Sequence, residues 1–344
     1  MLTKQQIIDL LGIEDETTIK TLFQYADHVR ERYVGDAIHL RGLIEFSNHC
    51  RRDCLYCGLR RSNRNVVRYR MTMPEIFAQV LEAGSLGFQT VVLQSGEDPH
   101  YTAEELASLV KRIKRDLGIA VTLCIGERTY DDYKRLKEAG ADRCLMRFET
   151  SDPRLFKALK PDSDFRKRFQ CIEWLRELGY QVGSGNMVGL PGQSLESLAD
   201  DILKFNEMDL DMIGLGPYIS HPDTPLKGSP NGTIEMVLRV TALTRIVTKK
   251  THMPATTATG TIDPEGRQKA LRCGANVLMP NLTPLQYRQH YLIYPDKICI
   301  SEEPQRCRFC VEGMAQALGR TVASDAGHSL KQRRGQTDSG EQRA

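Results

Sequence analysis

An α/β fold, a complete (β/α)8 barrel, is predicted by the sequence, and three observations carry the prediction. Short apolar runs alternate with amphipathic stretches along most of the chain, a helical pattern falls between consecutive runs, and the count of runs reaches eight. A chain of 344 residues with 40% hydrophobic content can fill one large domain of that kind.

Residues 3–33 read as a helical preface, with Ile7, Ile8, Leu11, Ile19, Leu22 and Phe23 at helical spacing, and residues 1–40 form an N-terminal helical extension. Strand-like runs follow at 43–47, 90–95, 120–125, 143–148, 182–188 and 212–217, with helices at 74–83, 103–115, 130–138, 165–178 and 195–208. Two further runs, 254–258 and 276–280, follow helical patterns at 234–248 and 264–271 and complete a TIM-type barrel over 41–295. These are the poorest strands, since Pro254 and two consecutive threonines suit a buried strand badly, and a six-unit open barrel is the alternative. Residues 296–324 make a short C-terminal extension, and 325–344, polar with almost nothing to bury, read as a disordered tail.

The formal charge of +3, from 47 basic against 44 acidic residues, argues against bulk nucleic-acid binding. Arginine is nevertheless dense between Arg51 and Arg70, as a solvated loop or as a face toward an anionic cluster, cofactor or partner. Residues 1–11 lack the features of a signal peptide and no apolar run reaches membrane-spanning length, so a cytoplasmic location is expected. Ten cysteines are then expected as metal ligands or buried thiols and not as disulfides.

After the first strand the chain reads Cys50-Arg51-Arg52-Asp53-Cys54-Leu55-Tyr56-Cys57, at the point where barrel loops carry chemistry. A closed zinc site wants four ligands, and a four-cysteine 4Fe-4S site leaves no iron free. Three thiolates on a cubane leave one iron open to chelation by the amino and carboxylate groups of S-adenosylmethionine (SAM). This C-x3-C-x2-C spacing, with an aromatic before the last cysteine, resembles the signature of the radical-SAM superfamily. The resemblance implies reductive cleavage of SAM to methionine and a 5'-deoxyadenosyl radical, with the protein supplying position and water exclusion.

Four further elements fit that resemblance. Gln94-Ser95-Gly96-Glu97 ends the second strand where the superfamily holds the methionyl amino group, with Ser95 in place of a glycine; a simple turn is the competing reading. Arg147 and Glu149, two apart, share a face if the fourth strand persists, which suits a ligand carboxylate and ribose hydroxyls respectively, or an internal salt bridge. The glycine-rich run 183–192 suggests close approach of a flat ligand such as adenine beside Met187. By resemblance alone, Arg168 is a candidate for the SAM carboxylate. Tyr56, Gln94, Ser95, Glu149, Arg168 and Met187 thus make up the expected SAM site.

The segments IEFSNHCRRDCLYCGLRRSN, VVLQSGEDP, SGNMVGLPGQ, IGLGPYISHPDTPL, MPATTATGTI and RCGANVLMPN are similar, in order and across nearly the whole chain, to the FeFe-hydrogenase maturase family of radical-SAM enzymes. That resemblance implies a role in assembling the di-iron part of the hydrogenase active site, with attack on the sulfur of a cysteine-bound Fe(CO)2(CN) precursor. It places the substrate carboxylate near Thr122, Arg147, Thr256, Thr257 and Tyr294, with Arg143 nearby. Cys299, Cys307 and Cys310 resemble an auxiliary site for a second iron-sulfur cluster, 2Fe-2S or 4Fe-4S, with zinc or no metal as alternatives. Cys124, Cys144, Cys171 and Cys273 read as core thiols, and Cys124 and Phe148 stand where some relatives have Ser and His. Other maturases and an electron donor such as ferredoxin or flavodoxin are implied as transient partners of a monomer that binds neither nucleic acid nor membrane. A methylornithine synthase-like mutase is the nearest alternative, and a scaffold with a structural cluster is the alternative from another class.

Overall fold

The computed structural model describes residues 2–331. Its elements run α1 (Lys4–Leu11), α2 (Glu16–Val34), β1 (His39–Leu40), β2 (Gly42–Ser47), α3 (Met73–Ser85), β3 (Thr90–Ser95), α4 (Ala103–Leu117), β4 (Ala120–Cys124), α5 (Tyr130–Glu138) and β5 (Arg143–Leu145). They continue as α6 (Pro153–Leu159), α7 (Phe165–Glu177), β6 (Gln181–Ser184), β7 (Met187–Val188), α8 (Leu195–Glu207), β8 (Met212–Ile213), β9 (Gly216–Pro217) and α9 (Ile234–Thr248). The remainder is α10 (Thr257–Ile262), α11 (Gly266–Leu271), β10 (Val277–Leu278), α12 (Leu285–Arg288) and α13 (Pro304–Ala317). Thr3, Thr72, Thr102 and Thr129 start α1, α3, α4 and α5 with capping boxes closed by Gln6, Glu75, Glu105 and Asp132, so the sequence itself marks where these helices begin.

Strands β2, β3, β4, β5, β6 and β8 pair in that order in one sheet, each neighbour parallel. Beyond the ends of β6 and β8, β7 and β9 pair again in parallel. Single parallel bridges join Met212 to His252 and Pro254 to Val277, and β10 pairs with β1 while Asn281 bridges Leu43. The pairings therefore lead from β2 around to β10 and back to β1 and β2. Between strands the helices cover an apolar layer in which Val91, Leu93, Val121, Leu123, Cys144 and Val182 are buried. Phe148 stacks at 5.3 Å on both Phe169 and Phe205, tying the chain after β5 to α7 and α8; truncation there would cost about 3–5 kcal/mol.

Three expectations change. The seventh strand, expected over 254–258, is reduced to bridges at His252 and Pro254, because Thr256 turns to cap α10 through the amide of Thr259. The fourth strand ends at Leu145 and not at 148. The tail does not begin at 325: residues 325–331 dock against the N-terminal ends of the strands. Thr90 and Arg143 donate to the Ala326 carbonyl at 2.8 and 2.7 Å, Arg41 donates to the Gly327 carbonyl, and Ser329 reaches Gln181 and Asp211. Buried arginines needed acceptors, and this polar segment supplies carbonyls; the rest of the expected tail, 332–344, lies outside the described residues. Of the N-terminal helices, α1 packs on α8 and α9, and α2 on α9. No helix among the described residues is long and apolar enough to cross a membrane.

Candidate cluster and ligand site

The loop after β2 carries the three cysteines and is held largely by its own side chains. Asn48, fully buried, donates to the carbonyls of Val67 and His290 and accepts from the amide of Tyr69. Arg68 donates to the carbonyls of Leu59 and Arg60, Arg60 forks onto Asp53 at 2.9 and 2.6 Å, and Arg70 forks onto Asp98 at 2.8 and 3.0 Å. Much of the arginine density thus staples the loop. Outside contacts fix its position: Leu55 donates to the Leu159 carbonyl, Gly58 to that of Ile293, and Gly96 to that of Ser47. A Cβ at Gly96 would stand 2.2 Å from the His49 carbonyl oxygen and 2.8 Å from the Cys50 Cβ, so only glycine lets β3 come this close to the first cysteine.

Burial pushes the Cys50, Cys54 and Cys57 thiols above their usual range; Cys50 feels Cys54, and Cys57 feels both Cys54 and Cys50. Among the described residues no three His, Cys, Asp or Glu side chains converge as ligands of a single metal ion. The three cysteines share one loop, and the Cys57 thiol feels both Cys54 and Cys50, so three ligands for one cluster stand together here. Bound there, a 4Fe-4S cluster and SAM would supply radical chemistry, and Cys50, Cys54 and Cys57 are the residues that would hold the cluster.

Beside the cysteine loop lies a buried ion network. Arg168 reaches Glu97 at 2.9 Å and Glu127 at 3.0 Å, and Arg52, between the first two cysteines, reaches Glu97 at 2.7 Å and also Glu127. Burial alone would raise the Glu97 carboxyl; Arg168 and Arg52 outweigh it and hold the group at about 2. Two guanidiniums meeting two carboxylates tie the cysteine loop to the ends of β3 and β4. Tyr56 and Met187 border a small apolar cluster of Leu155, Leu159, Leu190 and Tyr218. This is the apolar surface near the cysteines, and the glycine-rich run does not provide one. Cβ atoms at Gly183, Gly185 and Gly189 would strike Leu145, the Gly214 carbonyl at 1.8 Å, and the Gly232 Cα, so these glycines serve strand-to-strand approach and not a flat ligand.

Arg147 and Glu149 pair at 3.0 Å although the strand has ended, because Glu149 takes a left-handed φ of 70° while its backbone bonds Gly185 and Met187. The pair is not self-sufficient. Arg147 Nε and Thr122 Oγ1 are buried without a hydrogen-bond partner, and Glu149 Oε2 meets Arg147 only as an ion pair, so this group keeps hydrogen-bonding capacity for a polar ligand. Cys124 lies within reach of the charges of Arg147, Glu149 and Arg168. Gln94 donates to Tyr291, and Ser95 turns back to the Gly96 carbonyl. Tyr294, its hydroxyl pushed upward by burial, is bonded to Thr261 and feels both Cys299 and Arg147. Thr256 is engaged as a cap, with its Oγ1 2.7 Å from where a Cβ of Gly216 would lie. Arg143 is not brought here: at the first position of β5 it donates to Thr90, Gln181 and Ala326 at the opposite end of the strands.

Cys299, Cys307 and Cys310 surround a cavity of about 210 Å³ with Thr257, Asn281 and Lys297 also in its wall. Cys299 sits at a φ of 62°, Cys307 is buried and its thiol pushed up to about 11 by burial, and Cys310 is exposed. Lys297 closes the inner side of the cavity by bonding the buried Glu45 at 2.5 Å. The sequence reading missed Glu127, Lys160 and Asp201. Glu127 follows Gly126 at the end of β4, a position that invited attention; Lys160 and Asp201 are exposed by no pattern.

The radical SAM superfamily model matches residues 44–205. Over 325 residues, 94% of this chain and 93% of the relative, the chain is 50% identical to the "[FeFe] hydrogenase maturase subunit HydE" of Thermotoga maritima. It is 28% identical over 271 residues to a 3-methylornithine synthase of Methanosarcina acetivorans, covering 78% of this chain and 76% of that one. Among solved structures, methylornithine synthase PylB superposes with a TM-score of 0.82 at 24% identity, covering 94% of each chain. HydG, described as a maturase of the [FeFe]-hydrogenase, superposes with a TM-score of 0.78 at 19% identity over 92% of this chain and 72% of that one. These two likenesses bear on the fold.

Proposed function

Since the chain belongs to the radical SAM superfamily and, within it, to the family of the [FeFe]-hydrogenase maturase subunit HydE, we propose that it cleaves SAM reductively while assembling the di-iron part of the hydrogenase active site. The substrate in this reading is a cysteine-bound Fe(CO)2(CN) precursor, attacked at sulfur. Family membership implies the SAM-coordinating 4Fe-4S cluster and work alongside other maturases. The observation that carries the reading for this chain is the hydrogen-bonding capacity left on Thr122, Arg147 and Glu149 within one arrangement that also reaches the three-cysteine loop.

In that arrangement Cys50, Cys54 and Cys57 bind the cluster, Tyr56 and Met187 flank the SAM nucleoside, and Gln94 and Ser95 border its amino group. Glu149, paired with Arg147 on one side, keeps lone pairs that can accept from ribose hydroxyls. Arg147 and Thr122 offer an N–H and an O–H to a substrate carboxylate, with Tyr294 completing that side and Thr256 and Thr257 near the cavity wall. Cys299, Cys307 and Cys310 are proposed as ligands of a second iron-sulfur cluster. A monomer in the cytoplasm, reduced by an acidic electron carrier such as ferredoxin or flavodoxin, completes the reading.

Anaerobic activation of hydrogenase apoprotein, with the remaining maturation factors present, tests it. Activation should require this chain and fail with Cys54→Ala. Release of 5'-deoxyadenosine from SAM without any activation would reject the maturase role and leave a different radical SAM substrate. Activation that survives Cys54→Ala would instead make the protein a scaffold.

A further inference from the structure

The chain that leaves β5 is seated on α8 by three of four successive residues. Phe148 stacks on Phe205, the hydroxyls of Thr150 and Ser197 lie 3.5 Å apart, and Ser151 donates to Asp201 Oδ1 from both its amide and its hydroxyl at 2.6 Å. Glu149, in the middle of them, pairs with Arg147 instead. Its φ of 70° lies in the left-handed region, which a residue with a Cβ keeps only where its surroundings fix it on more than one side. One side is backbone: the Glu149 amide donates to the Gly185 carbonyl, and the Met187 amide donates to the Glu149 carbonyl. The other is Asp201. Fully buried on α8, it also accepts from Asn186 Nδ2 at 2.8 Å through its second oxygen, and Asn186 bridges Glu149 directly. A single carboxylate therefore clasps both chains that border the nucleoside site, at Ser151 two residues past Glu149 and at Asn186 one residue before Met187. Burial raises this carboxyl to about 6, so its three neutral donors only partly offset the desolvation. An acid kept where it weakens the fold has a use elsewhere.

Resting on the SAM-binding reading, we propose that Asp201 is a positioning residue for SAM: by clasping Ser151 and Asn186 it holds Glu149 in its left-handed turn, aims the Glu149 carboxylate at the ribose, and keeps Met187 at the same nucleoside. Asp201 itself touches no ligand and acts through these neighbours. A carboxylate suits the task because its two oxygens accept from two different chains at once, which a hydroxyl or an alkyl group at this position cannot do.

The test uses cluster-reconstituted protein as wild type, Asp201→Ala, Asp201→Asn, Glu149→Ala and the double variant Asp201→Ala/Glu149→Ala, with SAM affinity measured by anaerobic equilibrium dialysis and iron content beside it. Loss of the clasp predicts about ten-fold weaker SAM binding in Asp201→Ala with iron retained. Turning the Asn186 amide, whose Oδ1 has no partner, lets Asp201→Asn keep both ties, so its affinity should stay within about three-fold of wild type. In the Glu149→Ala background the same Asp201→Ala change should cost under about two-fold, because the group it positions is gone. Unchanged SAM affinity in Asp201→Ala overturns the proposal, as does an equal loss with and without Glu149, which marks a merely structural acid. Should Asp201→Ala fail to fold, Ser151→Ala, which removes one of the two donors to Oδ1, decides by the same comparison with and without Glu149. Wild-type protein that binds a cluster but no SAM would overturn the underlying reading itself, and this proposal with it.

Discussion

Arg168→Met is the perturbation that most directly probes how the cysteine loop is held. The side chain is 5% exposed and joins Glu97 at 2.9 Å to Glu127 at 3.0 Å. Breaking a buried pair by removing one partner costs about 3–5 kcal/mol, and Arg52 still touches both carboxylates, so the lower end, about 3 kcal/mol, is expected. The pH dependence gives an independent figure. Glu97 is held at about 2 against an ordinary 4.5, a gap worth about 3 kcal/mol across its cations. Because the folded value is the lower one, this stability is present above pH 4.5 and is lost as pH falls toward 2. Urea unfolding of cluster-free protein should therefore show the variant about 3 kcal/mol weaker at pH 7, with the deficit shrinking below pH 4.5. Iron retention after reconstitution should fall in parallel, since Arg52 lies within the cysteine motif. A deficit under about 1 kcal/mol, or one that is constant through that window, would refute the reasoning.

Asp201, buried and accepting from Ser151 and Asn186, is raised to about 6 from 3.8, by burial above all, so its contribution to stability is full below pH 3.8 and lost as pH rises through 6. Wild type should accordingly lose up to about 3 kcal/mol relative to Asp201→Asn between pH 4 and 7, and a flat difference in unfolding free energy would contradict this. Thr122→Val removes a hydroxyl that has no partner in the protein, so its folding stability should stay within about 0.5 kcal/mol of wild type while substrate affinity falls; a large fall in melting temperature would reverse that assignment. Truncation after residue 324 strips acceptors from Arg143 and Arg41, and each stranded donor should cost about 1–3 kcal/mol, read as a lowered melting temperature with SAM binding retained.

Much of the fold was legible because its signals are local. Short apolar runs and the helical patterns between them place the first six strand regions and the intervening helices, and the cysteine spacing marks the loop after the first of them. What the sequence hid is what long-range geometry decides. The glycines of 183–189 look like room for a ligand, but the neighbours that fill that room, Leu145, Gly214 and Gly232, lie up to 43 positions away in the chain. Arg143 shares a face with Arg147 by alternation, yet stands at the other end of the strand and serves the docked segment instead. Glu127 belongs to no motif, and its pairing with Arg52 and Arg168, 75 and 41 positions away, is something no linear pattern encodes.

The docked segment 325–331 also bears on time. Its bonds bridge 286 residues to Arg41 and 236 to Thr90, while His252, Gln181 and Asp211 hold it from other parts of the ring. A ribosome finishes the partners of these contacts before the segment itself emerges, so these bonds can form only once nearly the whole described chain has been made. Contacts of such separation close late in folding and are absent from early nuclei. Their weight then falls on how slowly the native ring opens, and a cluster that oxygen attacks gains from a housing whose opening is rare.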